Sequence, residues 1–491
     1  MIDSLYQTVL PVMQLLGFAL VLGIFALVAW TVLTFIIDKR QKRHTIRRNY
    51  PVIGRFRYLF EHLGEFFRQY LIAMEREEQP FNRAIRSWVY RAAKDIDTTV
   101  AFGSTVNIRQ PGTTLFACSP FPVQEEDALP PATITIGPYC EFPYATNAIL
   151  NISAMSYGAI SKPAVLALAR GAKLAGCWMN TGEGGVSPYH LEGGCDLVVQ
   201  IGTAKYGLRD ADGNLDDNKL REIASKPQTR MFEIKLSQGA KPGKGGILPA
   251  AKVTEEVSQI RGIPAGKASI SPNAHRELHN VEDLLDMIER IRSVTGKPVG
   301  FKSVIGQSEW LDDLCRAIVQ RGPQAAPDFI TVDSGDGGTA AAPQHHMDYV
   351  GLPIQETLPL LVDTLEQYNL RERIRVVASG KLITPSFVAW ALACGADFVN
   401  SARGFMFSLG CIQAMQCNKN TCPTGITTHN EKLQYGLVVS DKTQRVCNYQ
   451  RNLTHAVEQI AHSCGVSEPR QLRREHIRIV TRNGHSRSLT E

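Results

Sequence analysis

Residues 328–338, DFITVDSGDGG, run from an apolar, β-branched core straight into a polar turn holding three glycines. A strand that ends this way delivers polar side chains and open backbone to one edge of a sheet. The texture recurs from Ala148 onward, in AILNIS (148–153), CWMNT (177–181), MFEIKLS (231–237), KASIS (267–271), KPVGFKS (297–303), DFITVDSG (328–335), IRVVASG (374–380) and DFVNSA (397–402). Between these runs lie helical patterns such as KPAVLALARGAKLAG (162–176), where Ser161 suits an N-cap and Pro163 a first helical turn. VEDLLDMIERIRSV (281–294), WLDDLCRAIVQRG (310–322) and TPSFVAWALACGA (384–396) are of the same kind. Eight strands alternating with helices over roughly 260 residues predict an α/β fold, a (β/α)8 TIM barrel, with a doubly wound open sheet as the alternative.

A barrel carries its chemistry at the C-terminal ends of its strands, so polar residues and glycines should gather there. They do, in AMSYGAIS (154–161), TGEGG (181–185), KLSQGAKPGKGG (235–246), Lys302, DSGDGGT (333–339), SGK (379–381) and SARG (401–404). One glycine cluster means little, because turns use glycine everywhere. Six in strand-end register are harder to assign to turns. The loops after strands seven and eight are the usual phosphate position in barrels; Ser379, Gly380, Ala402, Arg403 and Gly404 occupy it. Lys235 and Lys302, at strand ends, are costly to bury unpaired, so they imply either an anionic ligand or ion pairs at the barrel rim.

Upstream, no charged residue occurs between Ser4 and Ile37, and the apolar run is long enough for a bilayer. KRQKRHTIRR (39–48) follows it with six Lys/Arg. A signal peptide would carry its charge before a shorter apolar run. The expectation is a transmembrane anchor over residues 1–38, single-pass in the inner (cytoplasmic) membrane, with a basic cytoplasmic flank at 39–50 and everything beyond it in the cytoplasm. The chain has 53 Lys/Arg and 47 Asp/Glu; without the six of that tract the signs balance at 47 each. The basic excess therefore belongs to the membrane flank and implies no nucleic-acid partner. Residues 51–138 read as a helical, then irregular N-terminal arm; RFRYLFEHLGEFFRQYLIAMEREEQ (55–79) places its apolar residues three or four apart, for packing or for a lipid or partner surface. The catalytic unit is expected at 139–430 and a C-terminal helical extension at 431–491.

Eleven cysteines, an odd number, exclude complete intramolecular pairing. Three fall in CIQAMQCNKNTCPTG (411–425), with five residues between Cys411 and Cys417 and four between Cys417 and Cys422. The spacing lacks the paired C-x-x-C arms of a zinc ribbon. In a reducing compartment, thiolates grouped this way suit iron, though a nucleophile or ordinary buried thiols remain open.

Taken together, ISAMSYGAIS, NTGEGG, EIKLSQGAKPGKGG, DSGDGGTAAAP and LGCIQAMQCNKNTCPTG resemble, in the same order, the FMN-binding synthase domain of glutamate synthase. The resemblance spans about Tyr139 to His429. It implies FMN held by Met155, Ser156, Thr181, Lys235, Gln238, Lys302, Asp333, Ser379, Gly380, Ala402 and Arg403. It implies a 3Fe-4S cluster on Cys411, Cys417 and Cys422. It implies Glu183 and Lys235 as catalytic residues, with Gly158, Lys241 and Arg261 binding 2-oxoglutarate or a related keto acid. Two cations suit the two carboxylates of such a substrate.

Three features depart from that family. The glutaminase that precedes the synthase domain in full-length bacterial forms is replaced by the apolar N-terminus, so nitrogen would come as ammonia, as an amine, or from a glutaminase partner subunit. Ile247 stands where the family typically has a glutamine, and NSARG (400–404) replaces a glycine-threonine turn. No G-x-G-x-x-G fingerprint follows a strand–helix unit, which points to a separate electron-donor protein such as ferredoxin. The expected function is reductive amination of 2-oxoglutarate by a membrane-anchored, FMN- and iron–sulfur-dependent oxidoreductase. The alternatives are another keto acid or amine, as in N-methylglutamate synthesis, substrate oxidation with electrons passed towards the membrane, and a non-catalytic electron-transfer or assembly subunit.

Overall fold

A computed structural model describes residues 2–490. The chain divides into two compact units that meet in sequence between Ala84 and Ile85. In the first, α1 (Ile2–Arg40) is a single helix. Its segment Val9–Arg40 is long and apolar enough to cross a membrane, and nearly all of its side chains are exposed. Asp38, near its end, is buried and accepts hydrogen bonds from the Arg47 and Arg55 guanidinium groups at 2.8 and 2.9 Å. Arg55 opens α2 (Gly54–Phe67), so this buried carboxylate ties α2 to α1.

The second unit contains a closed barrel of eight parallel strands: β1 (Leu150–Ile152), β2 (Met179–Asn180), β3 (Leu197–Ile201), β4 (Thr229–Lys235), β5 (Val299–Val304), β6 (Phe329–Asp333), β7 (Arg375–Ser379) and β8 (Phe398–Ser401). The register that closes it pairs Val399 with Leu150. Seven of the eight expected runs supply strands. KASIS does not. Its Ser269–Ile270 pairs antiparallel with Ile247–Leu248 in a small hairpin within the loop after β4, where Ser269 is buried and Ile270 is exposed. The third barrel strand is instead LVVQI (197–201), buried at every position. Such a strand has no inside–outside alternation to reveal it, because parallel strands in a barrel are covered on both faces.

One end of the barrel is closed by apolar side chains. Tyr144 and Ile136, from the hairpin Ile134–Ile136/Tyr144–Thr146, pack with Trp178, Val198, Met231, Phe329, Val377 and Phe398. Further along the interior, the buried Glu233 carboxylate accepts from Asn180 Nδ2 (2.8 Å), Gln200 Nε2 (2.7 Å) and Thr331 Oγ1 (2.6 Å). Four satisfied side chains thus form a polar layer between the apolar plug and the opposite mouth.

Outside, α3 (Lys162–Ala175) starts at Ser161, whose Oγ accepts from Ala164 N, with Pro163 in the first turn, and ends at left-handed Gly176. The loop after β4 carries, besides its hairpin, α4 (Glu255–Arg261). Near the C-terminus, α5 (Val439–Ser463) crosses α3 at Gly171, where an added Cβ would lie 2.5 Å from Val446 Cβ. The final segment is not wholly helical: Ile477–Val480 pairs antiparallel with both Ser486–Ser488 and Thr114–Phe116, so the arm and the C-terminal extension share a sheet. Gly171→Ala forces these helices apart and should cost about 1–3 kcal/mol, read as a lower apparent Tm with the secondary structure intact. An unchanged Tm would mean that the crossing yields without cost.

Candidate active site

The register of β4 and β5 sets Lys235 directly beside Lys302. Two buried lysines side by side repel, and each has a carboxylate: Lys235 Nζ is 3.1 Å from Glu183 Oε1, and Lys302 Nζ is 3.0 Å from Asp333 Oδ2. Lys235 also donates to Gln238 Oε1, and Asp333 accepts the Gly239 amide at 2.9 Å, which ties the loop after β4 to the end of β6. Burial opposes the charge on Lys302, but Asp333 and Glu233 outweigh it and hold the ammonium above its ordinary range. Burial likewise opposes ionisation of Glu183; Lys235, Lys241 and Arg261 overcome it, so this carboxyl titrates below the usual value. Glu183 has no slack: a Cβ at Gly246 would lie 2.1 Å from its Oε1, and one at Gly202 2.6 Å from its Oε2.

These pairs line a cleft over the C-terminal ends of the strands, enclosing about 1200 Å³ of atom-free space partly continuous with solvent. Six cations line it, Lys235, Lys241, Arg261, Lys302, Lys381 and Arg403, against the two carboxylates Glu183 and Asp333. Lys381 turns away to Asp336 at 2.8 Å. Among the described residues, Lys241, Arg261 and Arg403 make no ion pair: Lys241 Nζ donates to Ala341 O (3.1 Å), Arg403 Nη2 to Thr339 O (2.6 Å), and Arg261 Nη2 to Tyr157 O (3.2 Å) and Ser156 Oγ (3.3 Å). The Arg261 Nε–H is buried without a partner. A buried donor left unpaired is costly, and an anion in the cleft would relieve it. The guanidinium is further braced by the Tyr206 ring, 5.2 Å away.

The strand-seven and strand-eight loops form the other wall. Gly380 has φ +124°, and any Cβ there would lie 2.2 Å from Ser334 Cβ, so glycine is required for the loop after β7 to approach the one after β6. Ser379, Gly380, Ala402 and Arg403 line the same cleft, as do Met155, Ser156 and Gln238. Thr181 does not: its hydroxyl is fully buried and accepts from Gln200 N at 3.2 Å. Gly158 lies behind Arg261, where a Cβ would be 3.3 Å from Nη2. Sequence reasoning passed over Gln200, Ser271 and Asn400 as lining residues. Gln200 sits on the unrecognised strand, and Ser271 ends the run misassigned to the barrel.

The cysteine loop flanks the cleft. Cys417 lines it, whereas Cys411 and Cys422 do not. Its backbone is held by Tyr90 OH to Cys411 O (2.5 Å) and Lys252 Nζ to Cys417 O (3.2 Å), and its own Asn420 side chain donates through Nδ2 to Ala251 O (3.1 Å). Gln413, Met415 and Asn420 all have left-handed φ, a conformation non-glycine residues adopt at a cost. Burial pushes the Cys411 thiol up to about 11, while at Cys422 burial is outweighed by hydrogen bonds from Thr424 and Thr427, so that thiol titrates below its ordinary value. The donor type suits iron, but among the described residues no three His, Cys, Asp or Glu side chains converge at metal-binding distance.

A closed (β/α)8 barrel with an anion-seeking, lysine-rich mouth defines the class of protein, and the comparisons narrow it. A family model described as the conserved region in glutamate synthase matches residues 130–467. The glutamate synthase large subunit-like protein YerD of Bacillus subtilis (strain 168) is 41% identical over 502 aligned residues, covering 94% of both chains. An archaeal-type glutamate synthase (NADPH) of Thermotoga sp. (strain RQ2) is 34% identical over 332 residues; the match takes in 67% of this chain and 62% of that one. The chain belongs to the glutamate synthase family, and so among oxidoreductases. Solved structures of mandelate oxidase with (S)-4-hydroxymandelic acid (TM-score 0.48, 15% identity, 80% of this chain and 98% of that one) and of a flavocytochrome b2 mutant with pyruvate bound (0.45, 14%, 80% and 82%) are similar to it. The fold itself rests on the closed strand order.

Burial and the neighbouring Lys235 lower Lys241 to about 8, against a partial pull upward from Glu183. Its ammonium is thus present below that pH and lost as pH rises through it. Affinity for a dicarboxylate in the cleft should fall about tenfold per pH unit above that point, measured by equilibrium titration, and Lys241→Arg should remove the break. A flat profile would show that Lys241 does not touch the ligand.

Proposed function

We propose that this chain is a glutamate synthase-like enzyme that binds FMN at the barrel mouth and reductively aminates 2-oxoglutarate, or a related keto acid, with ammonia or an amine. The observation that carries the reading is the surplus of cations in the cleft, with Lys241 and Arg261 buried and unpaired beside a carboxylate–lysine pair. The residues fit FMN: Gly380 and Arg403 would meet its phosphate, and Lys235 and Lys302 its ring. Bound there, FMN would supply the hydride equivalent.

The rest falls to the chain's own side chains. Lys241 and the free Arg261 Nε–H would hold the two carboxylates of the keto acid, which fixes its 2-carbon near Glu183. Glu183, kept ionised by its cationic neighbours, would accept a hydrogen bond from the incoming amine and take up its proton as the C–N bond forms. Glu183 would pass that proton, and then a second one from the same nitrogen, to the carbonyl oxygen, which leaves as water, and the imine carbon would then be reduced. Gly202 and Gly246 leave Glu183 no room to swing away, so its position is set before substrate arrives.

The three cysteines are proposed as ligands of a 3Fe-4S cluster on the strength of their spacing and the family resemblance. Residues Val9–Arg40 are proposed as a single span of the cytoplasmic membrane with the barrel in the cytoplasm, on the strength of length, apolar composition and the basic tract that follows. Electrons would arrive from a donor protein such as ferredoxin, and nitrogen would come as free ammonia, as an amine, or from a glutaminase partner subunit.

Ile247 supports a second reading. It lines the cleft where a hydrogen-bonding side chain would discriminate keto acids, and an apolar wall suits an alkylated amine or a different acid. Full-length protein, reduced anaerobically until its flavin band is bleached, should recover that band with stoichiometric glutamate only when 2-oxoglutarate and ammonia are both present. Failure to reoxidise, in protein shown to hold flavin, favours the second reading and an amine and keto-acid screen. Separately, Cys417→Ser should lose iron and sulfide while the barrel stays folded by circular dichroism; unchanged iron would refute the cluster.

A further inference from the structure

Residues 53–67 present one apolar stripe: Ile53, Phe56, Leu59, Phe60, Leu63 and Phe67 recur every three or four positions along α2. The stripe is uncovered within its own unit, with Ile53 73%, Phe56 51% and Phe60 64% exposed. Around the helix, Arg55 and Arg57 fall on opposite sides of it, at roughly 100° per residue from Phe56. Aromatic and leucine side chains on one face, with arginines at both borders, are the composition of a helix that lies in a bilayer surface.

We propose that α2 is a second membrane contact, lying along an anionic lipid surface with its phenylalanine stripe among the acyl chains. This rests on the reading of α1 as a membrane span. Two further observations commit the stripe to lipid. The Asp38 carboxylate receives Arg47, Arg55 and the Val52 amide (3.1 Å), which fixes the first turn of α2 to the last turns of α1, where that helix leaves the apolar phase. Between Asp38 and Arg68 the sequence holds nine Lys/Arg against Asp38 and two Glu, a net charge that anionic headgroups attract. The exposed Leu71, Ile72 and Met74 extend the apolar surface beyond α2.

The test places a photoreactive benzophenone analogue of phenylalanine in full-length protein, at Val21, Phe60 or Glu61, in vesicles of phosphatidylcholine with or without phosphatidylglycerol, and identifies the adducts by mass spectrometry. Lipid adducts at Phe60, at least tenfold fewer at Glu61, and a severalfold loss at Phe60 without phosphatidylglycerol are expected. Adducts from Phe60 to peptides of residues 85–490, or to a second copy of the chain, would overturn the proposal, and equal yields in both vesicles would overturn its anionic part. Val21 reads the anchor separately: lipid adducts there but not at Phe60 refute only the surface helix, whereas none at Val21 refutes the span on which it rests.

Discussion

Lys235 and Lys302 stand side by side at the ends of adjacent strands, and that juxtaposition constrains much of the barrel mouth. Neither ammonium is tolerable so far from water without a partner, and the barrel supplies one from each side. Glu183 comes from the loop after β2 and Asp333 from the end of β6, so the two pairs draw together loops that are far apart in sequence. Asp333 then takes the Gly239 amide, and the loop after β4, with Lys241 on it, is held at the cleft. The charge arithmetic leaves Lys241, Arg261 and Arg403 unmatched. A site built this way is stable enough to fold and still short of negative charge, which is the condition for binding an acid.

The same barrel separates its two ends by chemistry. Trp178, Phe329 and Phe398 fill one end against an N-terminal hairpin, and nothing there invites a ligand. Glu233 and its three donors form the next layer, a buried carboxylate satisfied by neutral groups whose field still reaches Lys302. The paired lysines and carboxylates of the cleft sit above it. Replacing the layer with apolar residues would remove one of the charges that hold Lys302 protonated, so the interior contributes to the site although of this layer Gln200 alone lines the cleft.

The cysteine loop is held in place by contacts that its spacing does not reveal. Its backbone is clamped by Tyr90 and Lys252, its Asn420 side chain is anchored on Ala251 O, and three non-glycine residues adopt left-handed conformations. Such local cost persists where surrounding contacts over-determine it, which is common at functional loops. Among the described residues no three His, Cys, Asp or Glu side chains stand at metal-binding distance, and of the three cysteines Cys417 lines the cleft.

By itself the sequence determined the barrel, its polar mouth, the apolar N-terminal helix and most of the lining residues, because strand-end glycines and charges are local signals. The helix boundaries around Ser161 and Gly176 were legible for the same reason. It did not determine which apolar runs close the barrel. LVVQI carries no alternation because both its faces are covered, and KASIS resembles a strand although it forms a surface hairpin, with Ile270 outward. Nor did it reveal that Lys235 and Lys302 are neighbours, that Glu183 is wedged by Gly202 and Gly246, or that Thr181 faces the backbone instead of the cleft. Those facts depend on strand register and on which loops meet across the mouth, and both are set by closing the barrel, a contact between residues as distant as Leu150 and Val399.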